Sequence, residues 1–443
     1  MKVLLITSSA RGHALADALS RSPQKPEIVH ITASKNPGIR SIVKEQIVID
    51  DLMNFDKILE IAETVKPDFS FIGPEDPIAG GLADALEKIG VPSVAPKKAL
   101  AYIESSKGFT RDLLKKYNID ASPVFKIFTS DNREGIHSFI QDELGGDYVI
   151  KYDALKGGKG VKVSGDHLSS VQKGVDYAIE CIEECGKVVI EEKLIGPEFS
   201  LISFVSGTQV VDTPAVQDHK RAYEGDTGPN TGGMGTYSDA DHSLPFLQDS
   251  DIARAKEINR EVAVALEKEC GEPYKGILYG GFIVTKKGVQ LIEYNSRFGD
   301  PEALNILPLL KSDFVAICQG VINGKLTDDL ASFENKATVC LYITPEGYPD
   351  NKDQRGQPLT LPSAISENAR LYYGDVSESD DGELLIGGSR TLGVVGIGET
   401  IAEAQQIAVS LCEKIEGPVR FRKDIGTQSL IQERIDLVQE LRA

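Results

Sequence analysis

The hydrophobic pattern of the first hundred residues switches between two periods. Residues 2–7 are an unbroken apolar run, as expected of a strand covered on both faces. Residues 12–21 change to helical spacing, 27–31 return to a strand, and 54–65 put their apolar residues on one helical face. A strand at 69–72 ends in the turn Gly73-Pro74-Glu75, and a helix over 78–89 leads to a strand at 91–94. Such alternation builds a parallel, Rossmann-like α/β unit, with ligands beyond the carboxyl ends of its strands. The turns at 7–13 and 73–77 are therefore expected to face a ligand.

From Lys107 the pattern becomes mixed α+β. A helix at 107–117 is followed by strands at 148–151 and 161–163, a helix at 168–185 and a strand at 187–192. Gln217–Tyr237 is a long polar stretch, expected to be a loop. Ile252, Ala255, Ile258, Val262 and Leu266 then mark one face of a helix over 251–269, and strands near 277–284 and 289–294 follow. A third region begins near Asn335, with strands at 337–343 and 392–397, a helix at 400–415 and no concentrated polar motif.

Composition narrows the function classes. The 443 residues are enough for several cored domains, and 41% hydrophobic with 26% charged residues is an ordinary globular balance. A net charge of -19 disfavours nucleic acid and anionic membranes as partners. No run approaches the roughly 18 apolar residues of a membrane span. Most of the six cysteines (Cys181, Cys185, Cys270, Cys318, Cys340 and Cys412) lie scattered in apolar periodic segments, without neighbours to complete a zinc set. They read as free thiols of a reducing cytoplasm.

Four stretches carry candidate chemistry. Gly157-Gly158-Lys159-Gly160 lies between two strands, where glycines let backbone approach phosphate oxygens and lysine neutralises them. It is no Walker A motif, and a plain Gly-rich hairpin fits it as well. Lys151, closing the strand before it, needs an anionic partner if buried. Glu191, Glu192 and Glu198 surround the end of another apolar strand; they suit ribose hydroxyls or are simply solvated. The run from Gln217 to Gly235 is too rich in Gly and small polar residues to be an ordinary connection. Within it His219 is a candidate base, although a structural or substrate-contacting role weighs more. Finally, alternation puts Glu293, Asn295 and Arg297 on one strand face. A carboxylate and an amide oxygen suit Mg²⁺ shared with ATP phosphates, and an arginine there suits a transferring phosphoryl group.

Over essentially its whole length the chain resembles the phosphoribosylamine–glycine ligases (glycinamide ribonucleotide synthetases) of the ATP-grasp superfamily. The likeness rests on Gly73-Pro74-Glu75, Ser106-Lys107, Lys159-Gly160, Gln217 to Gly235, Asn295 to Glu302, and Phe421-Arg422-Lys423-Asp424-Ile425-Gly426. It implies an α/β and α+β multidomain fold: a Rossmann-like domain over 1–104, an ATP-grasp unit over 105–330 with a lid near 122–194, and a small mixed domain over 331–443. It implies ATP and Mg²⁺ or Mn²⁺ as cofactors, glycine and 5-phosphoribosylamine as substrates, a cytoplasmic setting, and a monomer or weak dimer. Glycine would be activated as glycyl phosphate, then captured by the amine of phosphoribosylamine, in the second step of purine synthesis.

By the same resemblance Lys107, Lys151, Gly158, Lys159 and Gly160 would meet ATP phosphates, and Glu191, Glu192, Leu194 and Glu198 its adenosine part. Glu293 and Asn295 would hold the metal. Arg297, Asp218 and Lys220 would serve the transfer itself. Arg11, His13, Gly73, Pro74, Glu75 and His219 would shape the substrate pocket with Asp218, Lys220 and Arg297. No general base is required, since the attacking glycine carboxylate is already ionised.

The first turn departs from the family. The usual Gly-Gly-Arg-Glu-His-Ala is Ser9-Ala10-Arg11-Gly12-His13-Ala14 here, so the Ser8 and Ser9 hydroxyls become candidate donors to the substrate phosphate. Lys156 also stands where a small residue is usual. A ligase with another acceptor, and a nucleotide-binding regulator without turnover, remain as alternatives. A dinucleotide oxidoreductase is excluded, because Thr7–Gly12 lacks Gly-x-Gly-x-x-Gly.

Overall fold

The computed structural model describes residues 1–157 and 160–443; Gly158 and Lys159, two of the expected phosphate contacts, lie outside them. The amino-terminal strands Lys2–Ile6, Glu27–Thr32, Glu45–Val48, Phe69–Ile72 and Ser93–Val94 form one parallel sheet, ordered third, second, first, fourth, fifth. The first strand is central and has no exposure from Val3 to Ile6, as its unbroken apolar run required. Two expectations change. The helix expected over 78–89 is two, Glu75–Gly80 and Leu82–Lys88, broken at Gly81, whose φ of 95° only glycine adopts cheaply. The helix after the first strand begins at Ser9, so the ligand-facing turn is itself the helix N-terminus.

Residues 125–192 form an antiparallel sheet, ordered Phe125–Thr129, Lys187–Glu192, Tyr148–Tyr152, Val161–Val163, packed on the helix Val171–Cys185. A second antiparallel sheet joins Gln209–Asp212, Glu198–Ser206, Lys275–Thr285 and Gly288–Asn295. Its last pair is irregular: Gly281 faces Glu293 while Phe282 faces Leu291, leaving Ile292 as the extra residue of a β-bulge.

The stretch expected as a loop over 217–237 is largely ordered backbone. Gln217–Asp218 and Gly235–Ser238 pair with each other, and Arg221–Tyr223 pairs with Thr227–Asn230 as a hairpin. Gly235–Ser238 also pairs with Ala337–Pro345, which continues to Leu392–Gly398 and Ala369–Tyr373. One sheet thus runs from the middle of the chain into its carboxyl-terminal region. Strand propensity is low in Gln217–Gly235, so pairing orders it, both within the stretch and through Gly235–Ser238 to this distant partner. Ala10, Ala14, Leu15, Phe298, Leu304, Tyr372 and Val395 share one apolar core, which locks the first helix, the helix Glu302–Leu309 and the last sheet together.

Candidate active site

The bulge at Ile292 sets out one side of the candidate site. Its carbonyl, freed from the ladder, accepts from Lys151 Nζ at 2.8 Å and Arg111 Nη2 at 2.8 Å. Lys151 also pairs with Glu191 at 2.7 Å, and Arg111 grips both oxygens of Glu191 at 2.6 and 3.0 Å. Burial would raise the Glu191 pKa, but Arg111 and Lys151 hold it below the usual carboxylate range. The Glu191 carboxylate is therefore engaged within the protein and not presented to a ribose, as one reading of the sequence had it. Glu192 faces another way, accepting from the Val124 N–H at 3.1 Å. Lys107 opens the helix Lys107–Lys116, whose first turn is fixed by Asp153, which accepts from Ser106 Oγ at 3.0 Å and Gly108 N–H at 2.9 Å. This directs Lys107 Nζ to 3.5 Å from Glu293. Lys156 turns away, pairing with Glu184 at 2.8 Å.

The ordered strand stops at Asn295, and Arg297 stands in the turn beyond, yet Arg297 Nη2 still comes within 3.5 Å of Asn295 Oδ1. Sequence reasoning missed what builds this turn. Glu104, buried on the helix Lys98–Ser105, accepts from the Ser296 N–H at 2.8 Å and hydroxyl at 2.7 Å, and pairs with Arg297 at 3.3 Å. A lone acid on an apolar helix face signals a buried partner, and that signal was present in the sequence. Glu75 adds a second carboxylate, 3.5 Å from Arg297 Nε and 3.7 Å from Arg11 Nη2. Burial works against the Arg297 charge, but Glu104 and Glu75 more than offset it and raise its pKa. The Nε–H groups of Arg11 and Arg297 are both buried without a hydrogen-bond partner.

Two donor oxygens for a metal, Glu293 and Asn295, adjoin three cations. Burial would raise the Glu293 pKa, but Lys107, Lys220 and Lys151 pull it down to about 2, so the carboxylate is charged at any working pH. Among the described residues no group of three or more His, Cys, Asp or Glu side chains could form a closed metal cage. An open set of two protein oxygens fits an ion completed by nucleotide phosphates.

Glu293 also lines a cleft with Glu198, Asp218, Lys220 and Tyr279. Lys220 reaches Glu198 at 3.2 Å, and Glu198 is the main reason its pKa is raised. Asp218 Oδ1 is buried and has no partner. A Cβ on Gly233 would come within 2.7 Å of that oxygen, so glycine is what lets the backbone close over it. Burial, then the nearby Glu302 carboxylate, pushes the Asp218 pKa well up. The sign follows: the native state holds this proton more tightly than the unfolded chain, so its contribution to stability falls as pH rises through that window. Asp218→Asn removes the charge and should raise Tm more at an alkaline than at an acidic pH, while lowering activity. Thermal unfolding at both pH values measures this, and an equal shift at both would contradict it.

The first turn is occupied from within. Ser9 stands at φ 67°, a conformation costing a non-glycine residue about 1 kcal/mol, where the family carries glycine. Its hydroxyl donates to Asp300 Oδ2 at 2.8 Å, which offsets that strain, and the Arg11 N–H points at the same oxygen at 3.4 Å. Ser9 Oγ, one of the two expected phosphate donors, is thus directed at Asp300, together with the Arg11 N–H. Tyr342 donates to Asp300 Oδ1, and Arg390, stacked on Tyr342, lies 3.4 Å from the same oxygen. Arg390 also donates to the carbonyls of Gly232, Gly233 and Asp300. Nothing in the sequence around Arg390 marked it out. His13 is engaged too: its Nδ1 accepts from the Tyr373 N–H at 2.9 Å, and burial lowers its pKa to about 4. Thr7 lies against Gly12 and Gly73, where an added Cβ would fall 2.6 and 2.7 Å from its side chain. His219 is buried with both ring nitrogens unpartnered and a pKa lowered to about 4 by burial, so it is neutral.

Three family models match in order along the chain. They are described as the N domain (residues 1–104), the ATP-grasp (A) domain (105–303) and the C domain (338–428) of phosphoribosylglycinamide synthetase. The chain belongs to the phosphoribosylamine–glycine ligase family. It is 46% identical to the phosphoribosylamine–glycine ligase of Methanosarcina acetivorans, over 100% of this chain and 98% of that protein. It is 47% identical to that of Methanocaldococcus jannaschii, over the whole of both chains. The crystal structure of the Thermotoga maritima ligase superposes with a TM-score of 0.80 at 29% identity, covering 96% of this chain and 100% of that one. The protein is thus an ATP-grasp carbon–nitrogen ligase of purine biosynthesis, in agreement with the resemblance read from its motifs. Among the described residues no helix is long and apolar enough to cross a membrane.

Proposed function

We propose that this phosphoribosylamine–glycine ligase joins its substrates across the cleft between Arg297 and Asp218, through glycyl phosphate. The observation that carries this reading is the meeting of Glu293, Asn295 and Arg297 with Lys107 on one side and Asp218 and Lys220 on the other. Lys107 and Lys151, with Gly158, Lys159 and Gly160, hold the ATP phosphates. Leu194 and Glu198, with backbone around Glu191, receive the adenosine. Glu293 and Asn295 hold Mg²⁺ or Mn²⁺, which neutralises phosphate charge when bound.

The glycine carboxylate attacks the γ-phosphorus, the bond to the bridging oxygen breaks, and ADP leaves. Arg297 binds the equatorial oxygens as charge builds on them. The amine of phosphoribosylamine then attacks the acyl carbon and phosphate departs. The amine loses one proton in this step. Asp218 Oδ1, partnerless and of raised pKa, is suited to receive it. Arg11, Gly73, Pro74 and Glu75 border the acceptor, with Lys220 and His219 beside them. The three units 1–104, 105–330 and 331–443 each contribute to this site.

The test is ADP release with glycine and with phosphoribosylamine generated in situ. Release should require both; release without phosphoribosylamine would sink the acceptor assignment. Arg11→Ala should raise KM for phosphoribosylamine about tenfold or more while leaving KM for ATP within about twofold, as expected for loss of a charge-assisted contact to the acceptor. Equal effects on both would place Arg11 outside the acceptor site.

A further inference from the structure

We propose that Arg111 is a positioning residue for the nucleotide: it saturates Glu191 and shares the Ile292 carbonyl, leaving Lys151 one N–H to give to a phosphate oxygen. The inference rests on the reading of Lys151 as a phosphate-binding lysine.

The case is a count of donors and charges. An ammonium has three N–H donors. Lys151 gives one to Glu191 Oε2 at 2.7 Å and one to Ile292 O at 2.8 Å, so one is left. Its direction is fixed only if both acceptors are fixed. Arg111 does this, binding Glu191 through Nε and Nη2, Ile292 O through Nη2 and Leu291 O through Nη1 at 3.0 Å. A guanidinium fork can span these acceptors because its donors are held in one plane. The cluster then holds two cations against one carboxylate. Arg111, Lys151 and Glu191 are 1%, 4% and 3% exposed, so solvent does not balance the excess. Glu293, the next acid, is already met by Lys107. A buried surplus of positive charge is costly alone and is answered by an incoming anion. Ile292, whose carbonyl Lys151 and Arg111 share, lines the cleft, so the pair lies behind that part of its wall.

A purely structural role is the competing explanation, because Arg111 also ties its helix to two sheets. Binding of ADP with magnesium and of adenosine, each by calorimetry, separates the two. Arg111→Met should weaken ADP by about ten- to a hundredfold and leave adenosine within about twofold. Arg111→Lys should recover part of the loss, since an ammonium still neutralises Glu191 but cannot span every acceptor. Lys151→Met is the control and should match Arg111→Met. If Lys151→Met binds ADP normally, the reading of Lys151 fails. If Lys151→Met is weakened and Arg111→Met is not, the role of Arg111 fails. Equal losses for ADP and adenosine, or failure of both Arg111 variants to fold, would make the arginine structural and overturn the proposal.

Discussion

Glu293→Ala should lower kcat/KM by about three orders of magnitude, a barrier increase of about 4 kcal/mol. The side chain has two duties at one point: it is one of two oxygen donors on its strand, and it is the anion that Lys107 meets at 3.5 Å. With its pKa held near 2, no accessible pH silences it. Removing it leaves Lys107 without its carboxylate partner, while Lys151 and Lys220 keep Glu191 and Glu198. ATP itself can still be drawn in by those cations, so binding should suffer less than turnover. The measurement is ADP release across a magnesium titration, with nucleotide affinity followed separately. Glu293→Gln keeps the shape and loses the charge, and should be nearly as impaired. Activity within about tenfold of wild type in either variant would remove Glu293 from the metal site.

Arg297→Met should cost both activity and stability. Activity should fall about a thousandfold, because the phosphoryl oxygens lose their guanidinium donor. Stability should fall by about 3–5 kcal/mol, because Glu104, 4% exposed at its side chain, keeps its charge with its cationic partner gone. Arg297→Lys divides the two effects. The ammonium still balances Glu104 and Glu75, so most of the stability should return, but the planar fork is lost and turnover should stay low. Denaturant unfolding and ADP release on the same samples test this. Unchanged stability in Arg297→Met would mean that Glu104 is satisfied by Ser296 alone.

How much of this was legible in the sequence depends on how local the cause is. The central strand Lys2–Ile6 declared itself, because burial on both faces demands an unbroken apolar run. Glu293 and Asn295 declared themselves through the period of two on one strand. The bulge at Ile292 did not, because it depends on the register of Lys275–Thr285. The outer pairing of Gly235–Ser238 was hidden for the same reason: its partner strand, Ala337–Pro345, lies far along the chain. Arg390 is an exposed-looking arginine in sequence, and only the fold shows it holding Gly232, Gly233 and Asp300. The first turn was half legible. Departure from the family's glycine was visible, but the reason a serine tolerates φ 67° lay in Asp300, far along the chain.

The sheet that begins at Gln217 has a consequence for synthesis of the protein. Gly235–Ser238 leaves the ribosome long before Ala337–Pro345, its partner strand. Until then the segment carrying Asp218 and Lys220 has an unpaired edge, open to wrong strands and to proteases. Gly235–Ser238 gains its second neighbour only once Ala337–Pro345 has been made, and that strand in turn pairs with Leu392–Gly398. A polypeptide stopped before Ala337 would therefore leave the segment carrying Asp218 and Lys220 with an open strand edge, although every residue of that segment is present.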